Sequence, residues 1–421
     1  MSLPLQLDYS QSISELPECT NYEVTLVPST GAGSYNPGSL IKFDFQQRGF
    51  IDPQSIVLRY KYSVTAMVGA EMIACPAYTP FLRLETLIGS QVVESINQYN
   101  QVAGFLYANT QMDVSQKYGQ QASLGYFNGT AVPSLEQLDG RLCTVNEVGT
   151  FSAPLIGLLS SSAKLIPAFA RPSISVQLTM DSIANMFTTT IVPTGFVISN
   201  IELSYNMLDF GRNVESAILA MPKLFLKCFS FSNSSSTIAT GSNGSMSLVY
   251  NQKYASVKAA YVLPTGSFAT SLNKWGDSFD VTAGTGDYSI MIAGQTYPQR
   301  ALSALNNKTY VIQELRRASG NINDKNNNLS INAIEFNQAY TTGSTYATPS
   351  KFIIGIPLEK LHIPSDKAIL TGVSTNNSNI TVNINTSTAV PAATSFNVNL
   401  ILNYDAIIEV DTQTRDARVR Q

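Results

Sequence analysis

The sequence predicts an all-β protein built as two tandem eight-stranded antiparallel jelly rolls with short inserted helices. Three observations predict this class. Short segments alternate apolar with polar residues, clusters of Gly, Pro, Asn and Ser separate them, and the same order of elements occurs twice. A chain of 421 residues also exceeds what one hydrophobic core usually organises, which favours more than one domain.

A period of two residues marks the strand candidates. The sequence SLIKFDFQ alternates in this way, and IVLRYKYSVTA does so with β-branched and aromatic residues. In the first half of the chain the candidates span residues 39–46, 56–66, 81–93, 173–180 and 196–208. In the second half they span residues 223–231, 245–250, 255–262, 288–293, 351–356, 379–385 and 396–410.

Two helices are predicted between the strands. Residues 99–112 have a partly apolar helical face. Residues 299–318 are the stronger candidate, because Leu302 and Leu315 lie on an apolar side and Gly320 follows where a helix is expected to stop.

An internal repeat relates the two halves at a spacing of about 200 residues. Gly89 and Gly294 each end a strand before a predicted helix, and the closing strands of the halves lead to Asp209 and Asp405. The boundary is predicted in a short linker, residues 212–222. The chain then divides into an N-terminal arm, two jelly rolls and a C-terminal tail, with bounds 1–21, 22–212, 213–412 and 413–421.

Charge is low throughout. Charged residues form 13% of the chain, the net charge is −3, and the first 40 residues contain no Lys or Arg. This balance argues against nucleic-acid binding by bulk electrostatics. A weakly charged surface suits a protein packed against copies of itself, and it equally suits an extracellular β protein. No signal peptide and no membrane-spanning stretch is recognised.

Catalytic and metal-binding motifs are missing from the sequence, which predicts that the protein is not an enzyme and uses no cofactor or metal. His362 is the single histidine, and no motif gives it a catalytic partner. The four cysteines are far apart and are predicted to be free, buried thiols: Cys19, Cys75, Cys143 and Cys228.

Two stretches, one acidic and one rich in side-chain oxygen atoms, are candidate cation sites. Glu409 and Asp411 share one face of a strand candidate near Asp405, and a solvated strand end explains them better than a metal does. Residues 321–328 have oxygen-rich side chains but lack the Gly and the terminal Glu of a calcium loop.

One basic cluster, Arg415, Arg418 and Arg420, lies at the C-terminus. Arginine binds phosphate well, so this cluster is a candidate contact with the genome of a virus or with lipid headgroups. An ordinary solvated tail is the alternative, because three exposed charges contribute little binding at physiological salt.

Spaced segments in this order resemble double jelly-roll major capsid proteins, the lineage of tectivirus-type phages, adenovirus hexons, polinton-like viruses and nucleocytoplasmic large DNA viruses. The sequence IELSYNMLDFGRNVE resembles the family's strand followed by Leu-Asp, with Gly211 and Arg212 replacing the usual Glu-Arg order. The sequence ETLIGSQVVESI resembles its Ile-Gly-Gly segment, with Ser90 in place of the second Gly. Residues 158–180 and 400–411 resemble its Ile-Pro segment and its closing strand.

The resemblance implies a major capsid protein that assembles as pseudo-hexagonal homotrimers and forms an icosahedral virion shell around the genome. It also implies penton and minor capsid proteins as partners, and termini that face an inner membrane or the genome. The host receptor is not indicated. Two other classes were weighed: a β-sandwich receptor- or glycan-binding attachment protein, and a β-sandwich hydrolase, which would need a carboxylate pair and stacking aromatics.

Overall fold

A computed structural model of the chain shows how the predicted strands pair. It describes residues 18–31, 33–65, 70–112, 119–125, 140–143, 146–188, 191–239, 241–242, 244–266, 274–282, 286–303, 307–320, 329–331, 336, 351–360, 370–386 and 395–421.

The first half of the chain forms the strands of one jelly roll. Alternating burial along them confirms the period of two residues: in the strand over residues 57–65, every second side chain is buried. The strands are β1 Thr20–Leu26, β2 Ser34–Tyr35, β3 Leu40–Asp44, β4 Phe50–Ile51, β5 Val57–Thr65, β6 Glu71–Ile73, β7 Phe81–Ile88, β8 Gln91–Asn97, β9 Gly140–Leu142, β10 Val148–Pro154, β11 Ile166–Pro167, β12 Ile174–Met180 and β13 Gly195–Asp209.

The second half forms another set of strands, and its closing strand is buried along nearly its whole length. These strands are β14 Lys223–Ile238, β15 Gly244–Tyr250, β16 Val257–Gly266, β17 Asp287–Ile292, β18 Gln295–Leu302, β19 Ile354–Pro357, β20 Ile380–Thr386, β21 Phe396–Asp411 and β22 Asp416–Arg420.

Both halves have the same strand topology. In the second half the two sheets have the orders β14-β21-β16-β19 and β15-β20-β17-β18. In the first half, β1 and β2 together take the place of β14, giving the orders β1/β2-β13-β5-β10 and β3-β12-β7-β8. Numbered within each half, both read 1-8-3-6 and 2-7-4-5. Two packed four-stranded antiparallel sheets of this kind make a jelly roll, so the predicted fold class is confirmed.

Additional short pairings extend the first roll. Strand β4 joins β13 to β11, and β6 pairs with β9 in a separate two-stranded sheet. Buried apolar residues of both rolls form a single cluster, with Tyr62, Phe81, Tyr261 and Tyr404 among its largest members. The rolls therefore share a continuous core.

Short helices lie between the strands. Three helical pieces follow one another after β8, and the middle one is a π-helix over Val102–Tyr107. The α-helices are α1 Tyr99–Gln101, α2 Ala108–Thr110, α3 Gln121–Leu124, α4 Ile183–Met186, α5 Arg212–Leu219 and α6 Lys308–Ala318. Single 3₁₀ turns occur at Pro53–Ser55, Ala168–Ala170 and Lys274–Gly276. In the described part of the chain, none of the helices has the length and apolarity needed to cross a membrane.

The structure corrects four of the predicted elements. The helix expected over residues 299–318 begins only at Lys308, because residues up to Leu302 form β18. The strand expected over 81–93 is a hairpin that turns at Gly89, whose φ of +63° suits glycine. The linker over 212–222 contains helix α5.

The C-terminal residues are the fourth correction. Residues expected to be a tail form β22, which pairs antiparallel with β21 from Asp411↔Asp416 to Ile407↔Arg420. Ala417 and Val419 alternate with the charged residues and turn towards the protein. The chain therefore ends in a hairpin of the second roll.

Candidate functional site

Among the described residues, no three His, Cys, Asp or Glu side chains come together as metal ligands. None of the four cysteines forms a disulfide, and the prediction that all four are buried is wrong for Cys19, which is half-buried. Burial raises the pKa of Cys143 and of Cys228 to about 12, which keeps both thiols protonated at neutral pH. His362 and residues 321–328 lie outside the described residues.

Several side-chain hydrogen bonds connect the two rolls at their junction. Strand β14 lies at the edge of its sheet, and Ser161 of the first roll covers that edge at Phe229. The Ser161 hydroxyl donates to the Phe229 carbonyl at 2.7 Å and accepts from the Phe229 N–H at 2.9 Å. An unpaired backbone edge invites pairing with other chains, so this contact blocks part of it.

A buried carboxyl group, Glu94 of β8, lies at the centre of this junction. Its side chain accepts hydrogen bonds from the Thr86 hydroxyl at 2.6 Å, from the Leu158 N–H at 2.7 Å and from the Ser230 hydroxyl of the second roll. Burial raises the pKa of Glu94, while these hydrogen bonds lower it and leave a net increase. Glu94 thus joins the two rolls without forming an ion pair within the described residues.

Further hydrogen bonds connect the rolls on other sides. Asn233 of β14 donates to Gln98 at 2.9 Å and to Gln101 at 3.1 Å. The indole N–H of Trp275 donates to the Asn185 carbonyl at 2.9 Å. No sequence pattern predicts this junction, because its residues are isolated Ser, Asn and Gln positions. Their burial depends on how the rolls pack.

The C-terminal arginines have different environments. Arg420 forms an ion pair with Glu409 at 2.6 Å, and Lys223 forms a second one with the same carboxylate at 2.6 Å. Hydrogen bonds from Lys223 and Arg420 lower the pKa of Glu409. Arg418 is exposed and lies 3.8 Å from Asp416, and Arg415 lies in the turn before β22.

These contacts also define the surroundings of Glu409 and Asp411, the acidic pair considered above as a cation site. Glu409 and Asp411 share a face of β21 as predicted, but Lys223 and Arg420 neutralise Glu409 directly. Asp405 is buried and accepts from the Ser256 hydroxyl at 2.9 Å. Asp411 accepts from the Gln413 and Thr414 N–H groups at 3.0 Å each, so the three carboxylates have different hydrogen-bond donors.

The outer faces of the two smaller sheets differ in charge. On the first roll, β3 and β7 contribute two ion pairs, Lys42–Asp44 at 3.2 Å and Arg83–Glu85 at 2.5 Å. The equivalent face of the second roll has three cross-strand rows: Val249–Thr381–Met291, Ser247–Asn383–Ser289 and Ser245–Asn385–Asp287. Asp287 is the single charged residue in these rows, and it accepts a hydrogen bond from Asn385 at 2.9 Å.

The equivalent strands β3 and β15, which each form an edge of their sheet, differ in how that edge is covered. The edge of β3 is partly covered, because Ser29 donates its N–H to the Lys42 carbonyl at 2.7 Å. Strand β15 has the sequence GSMSLVY, which contains no charge and no proline, and Val249 on it is 58% exposed. An exposed, uncharged edge strand is a surface on which another chain can pack.

A chain of two jelly rolls with equal topology defines the double jelly-roll class. No protein-family model and no curated protein matches the sequence. Solved structures do match. The chain resembles the PBCV-1 protein VP54 fitted into a reconstruction of the virophage Sputnik, with 10% identity and a TM-score of 0.66 over 98% of this chain and 99% of that one.

Two further structures show the same likeness. The Faustovirus major capsid protein has 10% identity and a TM-score of 0.63 over 95% of this chain and 92% of its own. The mavirus major capsid protein has 10% identity and a TM-score of 0.56 over 100% and 95%. The protein therefore has the double jelly-roll fold that these capsid proteins have.

Proposed function

We propose that the protein is a major capsid protein that self-assembles into homotrimeric capsomers of an icosahedral virion. The observation that carries this proposal is the full-length likeness to capsid proteins, with both jelly rolls present and in the same order. Six jelly rolls around a threefold axis would give each capsomer a pseudo-hexagonal outline, because the two rolls of one chain share their topology.

The surface properties support self-assembly. Charged residues are depleted from the cores of protein interfaces, and the outer face of β15, β20 and β17 is almost free of them. Strands spaced about 4.8 Å apart and about 24 Å long give this three-stranded face an area of roughly 350 Å². A standard interface buries about 800 Å² on each partner. The face is thus large enough for part of one copy-to-copy contact.

Sugar binding has less support. Trp275, the single tryptophan, is 3% exposed and is held by Asn185, so it offers no stacking surface for a sugar. This favours the capsid function over an attachment protein.

The proposed function also implies other binding partners. Penton and minor capsid proteins would complete the shell, and the protein would reside in the virion. Contact of the termini with an inner membrane or genome stays a prediction. Arg415 and Arg418 are its best candidate residues, because both are exposed, whereas Arg420 is paired with Glu409 at 2.6 Å.

Imaging of the purified full-length chain by negative stain tests this function. Particles of one size with hexagonal outlines are the expected result. A stable monomer that binds glycans on an array would refute the capsid function and favour the attachment protein.

A further inference from the structure

A cluster of buried hydrogen-bond donors without acceptors lies at one end of the first roll. Arg171 follows the 3₁₀ turn Ala168–Ala170 and is 3% exposed. Its Nη1 donates to the Pro172 carbonyl at 3.0 Å, but none of the described residues accepts a hydrogen bond from its Nε or Nη2. No carboxylate of the described residues forms an ion pair with it.

The unpartnered edge of this guanidinium is chemically specific. The Nε–H and one Nη2–H point in parallel along one side of the planar group, which is the side that binds a carboxylate or phosphate through two hydrogen bonds. Burial lowers the pKa of Arg171 to about 9, so the group is still charged at neutral pH. A buried charge without a partner is costly, which makes the absence of an acceptor here informative.

Two buried tyrosine hydroxyls belong to the same region of the first roll. The pairing of β1 with β13 sets Tyr22 opposite Met207 and Val24 opposite Tyr205, so both tyrosines lie on the same face as diagonal neighbours. Neither hydroxyl has a hydrogen-bond partner among the described residues.

Phe45 connects this face to the segment that contains Arg171. Its N–H donates to the Ile174 carbonyl at 2.9 Å, and its ring centroid lies 5.1 Å from that of Tyr205. Burial raises the pKa of Tyr205, and the positive charge of Arg171 lowers it.

A backbone donor completes the cluster. The N–H of Gln46 faces the Tyr205 hydroxyl, although the two do not reach hydrogen-bond geometry. The cluster thus combines one cation, two hydroxyls and one N–H, and the unpartnered guanidinium atoms can only donate.

We propose that Arg171, Tyr205 and Tyr22 form a binding site for one small oxyanion, either a carboxylate or an inorganic ion such as phosphate. The anion takes two hydrogen bonds from the Nε and Nη2 edge of Arg171 and one from each tyrosine hydroxyl. It neutralises the buried charge and connects β1 and β13 to the segment that leads into β12. Two sources can supply this chemistry: a free ion, or a carboxylate side chain of a protein.

Thermal unfolding of the full-length protein tests the free ion. Inorganic phosphate is titrated at constant ionic strength into wild type, Arg171→Met, Tyr22→Phe and the control Arg59→Met, which removes an exposed arginine paired with Glu23. A saturable rise in Tm is expected for wild type and the control, with about tenfold weaker apparent affinity for Tyr22→Phe and no response for Arg171→Met. An equal response from Arg171→Met would show that phosphate acts elsewhere and would overturn binding of the free ion at this site.

A high-resolution structure of the wild-type protein in phosphate separates the two sources. Phosphate within hydrogen-bond distance of the Arg171 Nε and Nη2 atoms identifies a free ion. A protein carboxylate at the same place identifies the second source, and Tm is then independent of phosphate. Water molecules alone, or an empty space, would overturn the proposal for both sources.

Discussion

Glu94 shows how one residue fixes the relation between the two rolls. Its carboxyl group is buried between Thr86 and Leu158 of the first roll and Ser230 of the second. The titratable groups that interact with it are the phenols of Tyr99, Tyr254 and Tyr404 and the thiol of Cys228. None of these groups is a cation. Among the described residues, therefore, no positive side chain offsets the cost of ionising Glu94 in its buried site.

This environment predicts a pH dependence of stability. Because folding raises the pKa of Glu94, the folded protein holds this proton more tightly than the unfolded chain does. The contribution of Glu94 to the free energy of unfolding is complete below its ordinary pKa of 4.5. It is lost as the pH rises through the higher pKa of the folded protein. The free energy of unfolding of wild type, measured in urea, should therefore fall relative to that of Glu94→Gln between pH 5 and pH 8.

An exposed carboxylate provides the control for this measurement. Glu23→Gln changes a side chain that is 52% exposed, and it should leave the pH dependence close to that of wild type. Parallel pH profiles for wild type and Glu94→Gln would show that Glu94 is not the titrating group.

A second residue-scale prediction concerns Ser161, whose hydroxyl bonds both backbone groups of Phe229. Ser161→Ala should lower the free energy of unfolding by about 1 kcal/mol, because the backbone N–H and carbonyl of Phe229, an exposed residue, lose their hydrogen bonds to this hydroxyl. Urea denaturation measures this change. Ser160→Ala is the matched control, since its hydroxyl bonds only Gly157 within the same loop. Equal effects of the two variants would contradict a special role of Ser161 at the junction.

At the scale of elements, period-two patterns predicted the long strands well, and β5, β12, β13 and β21 lie close to their predicted bounds. Short turns were harder to place. The hairpin of β7 and β8 has a two-residue turn at Gly89, and apolar residues stand close to it on both sides, so its two strands look like one. Likewise β18 contains Leu302, whose spacing of three residues from Leu305 also suits a helix.

The uncharged face of β15, β20 and β17 gives a prediction about assembly. Val249→Asp should reduce the fraction of assembled capsomer by at least tenfold, because a buried unpaired carboxylate costs several kcal/mol at an interface. Val148→Asp is the matched control: Val148 is 57% exposed on edge strand β10, against 58% for Val249. Size-exclusion chromatography with light scattering measures the fraction. An unchanged fraction for Val249→Asp would remove this face from the assembly contacts.

For the whole molecule, the sequence predicted two jelly rolls and their approximate bounds, and the structure confirms the fold class. The junction could not be predicted, because it joins residues that are isolated in sequence, such as Glu94 and Ser230. The continuous apolar cluster predicts that the two rolls unfold together. Differential scanning calorimetry should show one transition, and two well-separated transitions would show that the rolls are independent.

The proposed capsid function requires that two equivalent rolls per chain assemble around a threefold axis. A three-dimensional cryo-EM reconstruction of the purified full-length protein tests it most directly. We expect a trimer with six roll-sized densities around the axis and a pseudo-hexagonal outline. A monomer, a dimer or a ring of another order would contradict the claim.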